Sequence, residues 1–172
     1  MIDIISEMYV RAVEFENAGQ YESALKIYEE LFELFKTTLR ENDIDTITAM
    51  YNLSRMLDRL ERYEEALPLS KRALELYEDI LGERHENTIN AMNNFALTLY
   101  LSKRYKEALP IYERVVKLRK ELFGDDDIYT ISDINNLADT LSHLNRYEEA
   151  IPLYEQVVAF YNKCGNWRKD NG

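Results

Sequence analysis

One heptapeptide recurs without drift and limits what this chain can fold into. Arg62-Tyr63-Glu64-Glu65-Ala66-Leu67-Pro68 returns as Arg104-Tyr105-Lys106-Glu107-Ala108-Leu109-Pro110 and as Arg146-Tyr147-Glu148-Glu149-Ala150-Ile151-Pro152. A weaker copy, Gln20-Tyr21-Glu22-Ser23-Ala24-Leu25-Lys26, comes first, so the tyrosines fall at 21, 63, 105 and 147, a step of 42 residues. Units of that length cannot bury an apolar face alone and must stack on their neighbours. The expectation is one solenoid over residues 1–172, with repeats of about 1–42, 43–84, 85–126 and 127–165 and a tail from 166.

Each unit carries two helical patterns. Met50, Leu53, Ser54, Leu57 and Leu60 make one stripe at helical spacing, repeated by Met92, Phe95, Ala96 and Leu99 and by Ile134, Leu137, Ala138 and Leu141. A second stripe holds Ala66, Leu69, Ala73, Leu74, Tyr77 and Ile80. These define a helix A and a helix B in every unit. Proline is tolerated near a helix start, so Pro68, Pro110 and Pro152 place the start of helix B just before them. Gly82 and Gly124 are the expected terminators of helix B in a left-handed conformation. Asp43, His85 or Asn87, and Asp127 are candidate N-caps of the next helix A. Asp125-Asp126-Asp127 lacks the spacing of a calcium loop and reads as capping. Columns that stay small in every copy (Ala24, Ala66, Ala108, Ala150, and Ala12, Ser54, Ala96, Ala138) mark where helices approach closely.

Composition excludes several classes. Apolar residues make up 46%, enough for a shared core, while five glycines and three prolines are too few for a turn-rich β protein. A net charge of −11 argues against nucleic acid and against anionic membranes, both of which attract basic faces. One cysteine, Cys164, excludes an internal disulfide framework and fits a reducing compartment. Its column, with Thr38, Ile80 and Leu122, suggests packing. With no secretory pattern at the start and no apolar run near the ~20 residues of a membrane span, the expected location is the cytoplasm. The two histidines lie in different repeats, and neither a phosphate loop nor metal-ligand spacing occurs, so no enzyme activity, cofactor or metal is expected.

These columns resemble the tetratricopeptide repeat (TPR): a large apolar residue (Met50), Leu53-Ser54, Leu57, then Tyr63, Ala66 and Ala73. The 42-residue period exceeds the usual 34. Together with Asn-Asn-Leu-Ala at 135–138 and the Gly-x-x-His-x-x-Thr of Gly82 to Thr88, it is similar to the kinesin light chain variety. The departures are Glu86 and Ile128 where a proline often follows the histidine, and Ser70 in an aromatic column. The resemblance implies an all-α fold, a right-handed superhelix of four helix-turn-helix repeats with about eight helices. It also implies a concave face lined by the A helices. On that face Asn52, Asn94 and Asn136 match the asparagines that grip a peptide backbone, with Val10 breaking the series. The same asparagines could instead bond the neighbouring repeat and hold the stack.

Other positions on the same face are Tyr9, Val13, Tyr51, Arg55, Arg59, Asn93, Leu97, Tyr100, Leu101, Asn135, Asp139 and His143. Arg55 and Arg59 are one turn apart and could meet a carboxylate together, or pair with neighbouring glutamates. The expected function is a scaffold that binds a protein or peptide partner in this groove. The alternatives are a homodimer through the C-terminal helix, or a regulatory piece of a larger signalling protein. At the ends, Arg11 stands in the column of Leu53, Phe95 and Leu137, which fits a face with no preceding unit and places Met1 near the start of the array. Val157 to Tyr161 are apolar in succession, to be covered by Trp167, by another protein or by further chain.

Overall fold

The computed structural model describes residues 2–170, with side chains described for residues 4–164. They form eight α-helices: α1 (Ile2–Asn17), α2 (Tyr21–Thr38), α3 (Ile44–Arg59), α4 (Tyr63–Leu81), α5 (Glu86–Leu101), α6 (Tyr105–Phe123), α7 (Ile128–His143) and α8 (Tyr147–Asp170). No strand occurs among the described residues. The all-α fold of four helix-turn-helix repeats is therefore what the chain adopts, with A helices odd-numbered and B helices even-numbered. Two compact units divide it, Met1–Ser102 and Lys103–Gly172.

In the first unit, α1 to α5 pack in succession, and α3 also touches α5. The stripe read for helix A is buried: Met50, Leu53, Ser54 and Leu57 lose almost all contact with water. Leu25, Leu31 and Phe35 of α2 share one core with Ala49, Leu53 and Met56 of α3, so the first hairpin is closed by the second. Burying a side chain of that size stabilises by roughly 1.5–3 kcal/mol. The small columns behave as expected, with Ala12, Ala24, Ala66 and Ser54 fully enclosed. The Ile80 end of the B stripe differs: Ile80 and Leu122 are partly exposed and Cys164 is exposed. That column lies at the solvent edge of helix B, and among the described residues Cys164 is exposed rather than packed.

Helix ends follow local chemistry. Asp43, His85 and Asp127 are the N-caps of α3, α5 and α7, accepting from the backbone N–H of Asp45, Asn87 and Tyr129 at 3.1, 3.1 and 3.0 Å. At α5 the cap is thus His85, through Nδ1, and Asn87 is the donor. Each member of the triple aspartate has a separate task, since Asp125 pairs with Lys120 and Asp126 with Lys163. Gly82 and Gly124 close α4 and α6 at φ 79° and 90°. Their ψ of 162° and 170° lies beyond the left-handed helical region, in a conformation open essentially to glycine alone.

The start of helix B falls where Glu64 and Glu65 occupy its first turn, as the sequence indicates, but the prolines lie deeper in the helix than expected. Helix B begins at Tyr63, Tyr105 and Tyr147, five residues ahead of each proline. The proline sits inside the second turn, yet on the exposed face, where the carbonyl it leaves unpaired can bond to water. α8 likewise runs to Asp170, into the stretch expected as a tail. Asn166 stands where Gly82 and Gly124 set the register, and the glycine falls one residue early at 165. Trp167 lies outside the described side chains.

Between helices A and B the backbone turns through one left-handed residue in every copy: Gly19, Glu61, Lys103 and Asn145, at φ of 59–71°. The N–H of Gln20, Arg62 and Arg146 then reaches back to the carbonyl of Phe15, Leu57 and Leu141, a Schellman closure of helix A. Arg62, Arg104 and Arg146 fork onto Glu65, Glu107 and Glu149 at 2.6–2.7 Å. These pairs are solvent-exposed and add little stability.

The second unit packs α7 between α6 and α8. Its core holds a buried ion pair: Arg119 on α6 donates to Asp133 on α7 at 2.9 Å. The guanidinium also lies 5.5 Å from the Phe123 ring and 5.4 Å from Tyr129. Phe35 and Ala49 fill the same two positions in the first copy without charge. We expect Asp133→Ala alone to cost about 3–5 kcal/mol in urea denaturation, because it strands a buried cation. Arg119→Phe with Asp133→Ala, which recreates the first copy's pair, should match or exceed the parent. A double variant as weak as the single one would contradict this.

Candidate functional site

The sequence-selected residues of the first unit gather along one side of α3 and α5. A cleft of about 290 Å³ opens there, lined by Arg55, Asp58 and Arg59 of α3, Glu61 and Tyr63, and Asn94, Leu97 and Leu101 of α5. Arg55, Arg59, Asn94, Leu97 and Leu101 come together as expected. A smaller recess of about 120 Å³ holds Tyr51 and Asn52 with Thr48, Tyr77, Asn87 and Asn90. Tyr9 instead packs into the first core, stacked on Phe35, and burial raises its hydroxyl pKa. Val10 and Val13 are exposed on α1.

The polar groups of the cleft are mostly engaged. Asn94 is buried and donates Nδ2–H to Ser54 Oγ at 2.9 Å, so it ties α5 to α3. Thr98 Oγ1 donates to Asp58 Oδ2 at 2.7 Å one turn further on. Arg55 is ion-paired with Glu16 of α1, donates to Asn52 at 3.4 Å, and lies 5.7 Å over the Tyr51 ring. Arg59 extends over Tyr21, 5.9 Å from its centroid. The two arginines are thus occupied separately, and for Arg55 the glutamate pairing is the one seen.

In the second unit α7 carries the matching positions. Asn135 Nδ2–H donates to Asp139 Oδ2 at 3.1 Å, and the Tyr154 hydroxyl donates to Asp139 Oδ1 at 2.6 Å, so both oxygens of that carboxylate are held. Asn136 is half-buried and its carbonyl accepts from Thr140. His143 stacks on Tyr105 with ring centroids 4.5 Å apart and planes 8° from parallel. Asn93 and Tyr100 are half-buried on α5.

Sequence reasoning missed Asp58. Its column reads Glu16, Asp58, Tyr100, Ser142 and has no common chemistry to flag it. The only hint was an aspartate set between Leu57 and Leu60 of the apolar stripe. Burial pushes its carboxyl up to about 6, against the Thr98 hydrogen bond and nearby Arg59, which favour the charged form. One oxygen, Oδ1, is buried with no partner among the described residues.

The tetratricopeptide repeat family model matches residues 12–79, 57–121 and 96–163, each window spanning about two of the helical pairs described above. The chain belongs to the tetratricopeptide repeat family. TPR domains are generally non-catalytic protein-interaction scaffolds, and no enzymatic family is indicated. Among solved structures, the nearly identical TPR-like repeats of a kinesin light chain candidate from Podosopora anserina are 20% identical, with a TM-score of 0.83 over 92% of this chain and 75% of that one. BtubC (BKLC) from P. vanneervenii is 17% identical at a TM-score of 0.82, over 94% of this chain and 64% of the other. MamA from Desulfovibrio magneticus RS-1 is 15% identical at 0.67, over 92% and 76%. At such identities the likeness is one of fold. No curated protein sequence matches. Among the described residues no cluster of His, Cys, Asp or Glu could hold a metal, and no helix is long and apolar enough to cross a membrane.

Asp58 gives this TPR chain a testable pH response. Its unfolded carboxyl ionises near 3.8 and its folded one near 6, so the folded state binds the proton more tightly. The penalty of the buried charge is fully present above pH 6 and fades as pH falls through 6. Between pH 7 and pH 5 the parent should gain about 1 kcal/mol relative to Asp58→Asn. A difference between the two proteins that stays constant with pH, measured by denaturant titration, would contradict this.

Proposed function

We propose that the chain is a scaffold that receives a segment of a partner protein along its A helices, with the α3–α5 cleft as the principal contact. The observation that carries this is the convergence of Arg59, Leu97 and Leu101 around one opening, on a family that generally serves protein interaction. Leu97 and Leu101 offer apolar area, the usual source of binding energy at an interface centre. Arg59, exposed and stacked on Tyr21, supplies a charge that can turn to a partner group without breaking an ion pair. Tyr51 and Asn52 extend the contact surface along α3, and Asn93 and Tyr100 along α5. In the second unit Asn135, Asn136, Asp139 and His143 offer the corresponding face of α7. Because these helices are held by packed cores, the ordering cost of binding falls mainly on the partner.

Asn94 and Arg55 are poor test positions, since each also holds the stack. Leu97→Lys with Arg59→Glu alters the cleft and spares those ties. Immobilised parent protein should retain a partner set from a lysate of the source cells that the double variant retains at least tenfold less, at equal helical content. Equal retention of the same proteins by both would place the interaction elsewhere.

A further inference from the structure

The α3–α5 cleft carries two carboxylates that the described residues leave without a paired cation. Asp58 is 7% exposed; Thr98 holds its Oδ2 at 2.7 Å, while its Oδ1 is buried with no hydrogen-bond partner among the described residues. Glu61, in the turn after α3, is exposed, and its carboxylate makes no ion pair or hydrogen bond with a described residue. The Tyr63 hydroxyl lies near both, since burial and then the charges of Glu61 and Asp58 push its pKa up. Arg55 and Arg59 also line the opening, but Arg55 is ion-paired with Glu16 and Arg59 lies over Tyr21. With Arg55 neutralised in this way, two carboxylates face one guanidinium.

The repeat itself indicates what suits Tyr63. Tyr21, Tyr63 and Tyr105 fill one column, and the residues of the next helix A at their level are Arg59, Leu101 and His143, again one repeat apart. Arg59 lies 5.9 Å from the Tyr21 centroid, and His143 stacks on Tyr105 with centroids 4.5 Å apart. The middle copy has Leu101, which brings no planar polar head, and Tyr63 is left on the wall of the cleft. A guanidinium entering there would restore over Tyr63 the cation that Arg59 places over Tyr21. Leu97 and Leu101, both half-buried, offer an apolar surface for the methylene stem behind such a head.

An acidic group fits poorly. It would meet Asp58 and Glu61 across the same opening, and Arg55 would have to release Glu16 to reach it. A cation has the opposite effect, because an opposite charge beside Asp58 offsets the penalty of holding that carboxylate in the interior. Oδ1 is closed from water, yet the last torsion of an aspartate is broad, so a small turn presents it to the cleft. The Thr98 hydroxyl hydrogen rotates to follow the other oxygen.

We propose that the α3–α5 cleft receives an arginine of the partner segment, an inference that rests on the cleft being the contact described under the proposed function. The guanidinium lies on Tyr63 and pairs with Asp58 and Glu61, and its stem lies on Leu97 and Leu101. The probe is a library of random heptapeptides on phage, selected on the immobilised full chain. Counter-selection uses Leu97→Lys, which sets a basic chain of its own in the cleft wall. Surviving peptides, made with a fluorescein label, should carry arginine at one position, and changing it to glutamine should weaken binding at least tenfold. With Asp58→Asn, which keeps an acceptor for Thr98, that preference should fall below threefold at unchanged helical content by circular dichroism. Glu61→Gln, at an exposed site, should reduce it at least twofold. Cleft-dependent peptides that lack arginine, or an arginine preference that Asp58→Asn leaves intact, overturn the arginine and leave the cleft as the contact. Selected peptides that all bind Leu97→Lys as tightly as the parent, or no selected peptides, overturn it as well, and the first of these removes the cleft with it.

Discussion

Leu25, Leu31 and Phe35 are buried because Ala49, Leu53 and Met56 of the next hairpin lie over them. A pair of helices 16 and 18 residues long has two apolar faces and can close only one of them internally. The other must be closed by the next hairpin along the chain, which makes each hairpin's stability a property shared with its neighbour. The fixed 42-residue step is the consequence. Ile47, Ile89 and Ile131 are each buried at the same point of helix A, and Thr46, Thr88 and Thr130 beside them are fully enclosed. Thr46 donates to the Arg40 carbonyl and Thr88 to the Tyr77 carbonyl, so a hydroxyl on helix A serves the backbone just behind it. An insertion between two hairpins would shift the groups that meet across that seam and leave the other seams in register.

Polar contacts are added to this seam sparingly, and differently in each copy. Ser54–Asn94 and Asp58–Thr98 tie successive A helices in the first unit, while Arg119–Asp133 ties a B helix to the next A helix in the second. None of them recurs at all copies. The apolar columns supply the stability, and the polar pairs adjust local geometry. Burial in turn raises the Asp133 carboxyl to about 6, opposed by Arg119. The stack therefore carries two carboxyls that are easier to protonate than those on its surface.

Much of this was legible in the sequence because repetition makes burial visible. A column that is alanine four times, such as Ala24, Ala66, Ala108 and Ala150, has no explanation other than close approach. The caps Asp43, His85 and Asp127 were legible for a local reason, since the bond spans two residues. Features without a repeated identity were hidden. The left-handed residue that ends helix A is Gly19, Glu61, Lys103 and Asn145, four side chains with one backbone conformation. The prolines misled because their tolerance depends on facing water, which position in the chain does not reveal. For the cleft, the sequence supplied Arg59, Leu97 and Leu101 but not Asp58. It also left open whether Asn94 meets a ligand or a neighbour, because a bond across 40 residues to Ser54 has no local signature.

Native-state hydrogen exchange on the full chain tests most directly whether each hairpin is held by the one beside it. If it is, α8, one face of which is uncovered among the described residues, should exchange through openings at least 1–2 kcal/mol smaller than those of α6. α1 should likewise exchange through smaller openings than α4, which is packed on both sides. Amides of all eight helices exchanging through one opening of the same free energy would contradict the account, as would α8 outlasting α6.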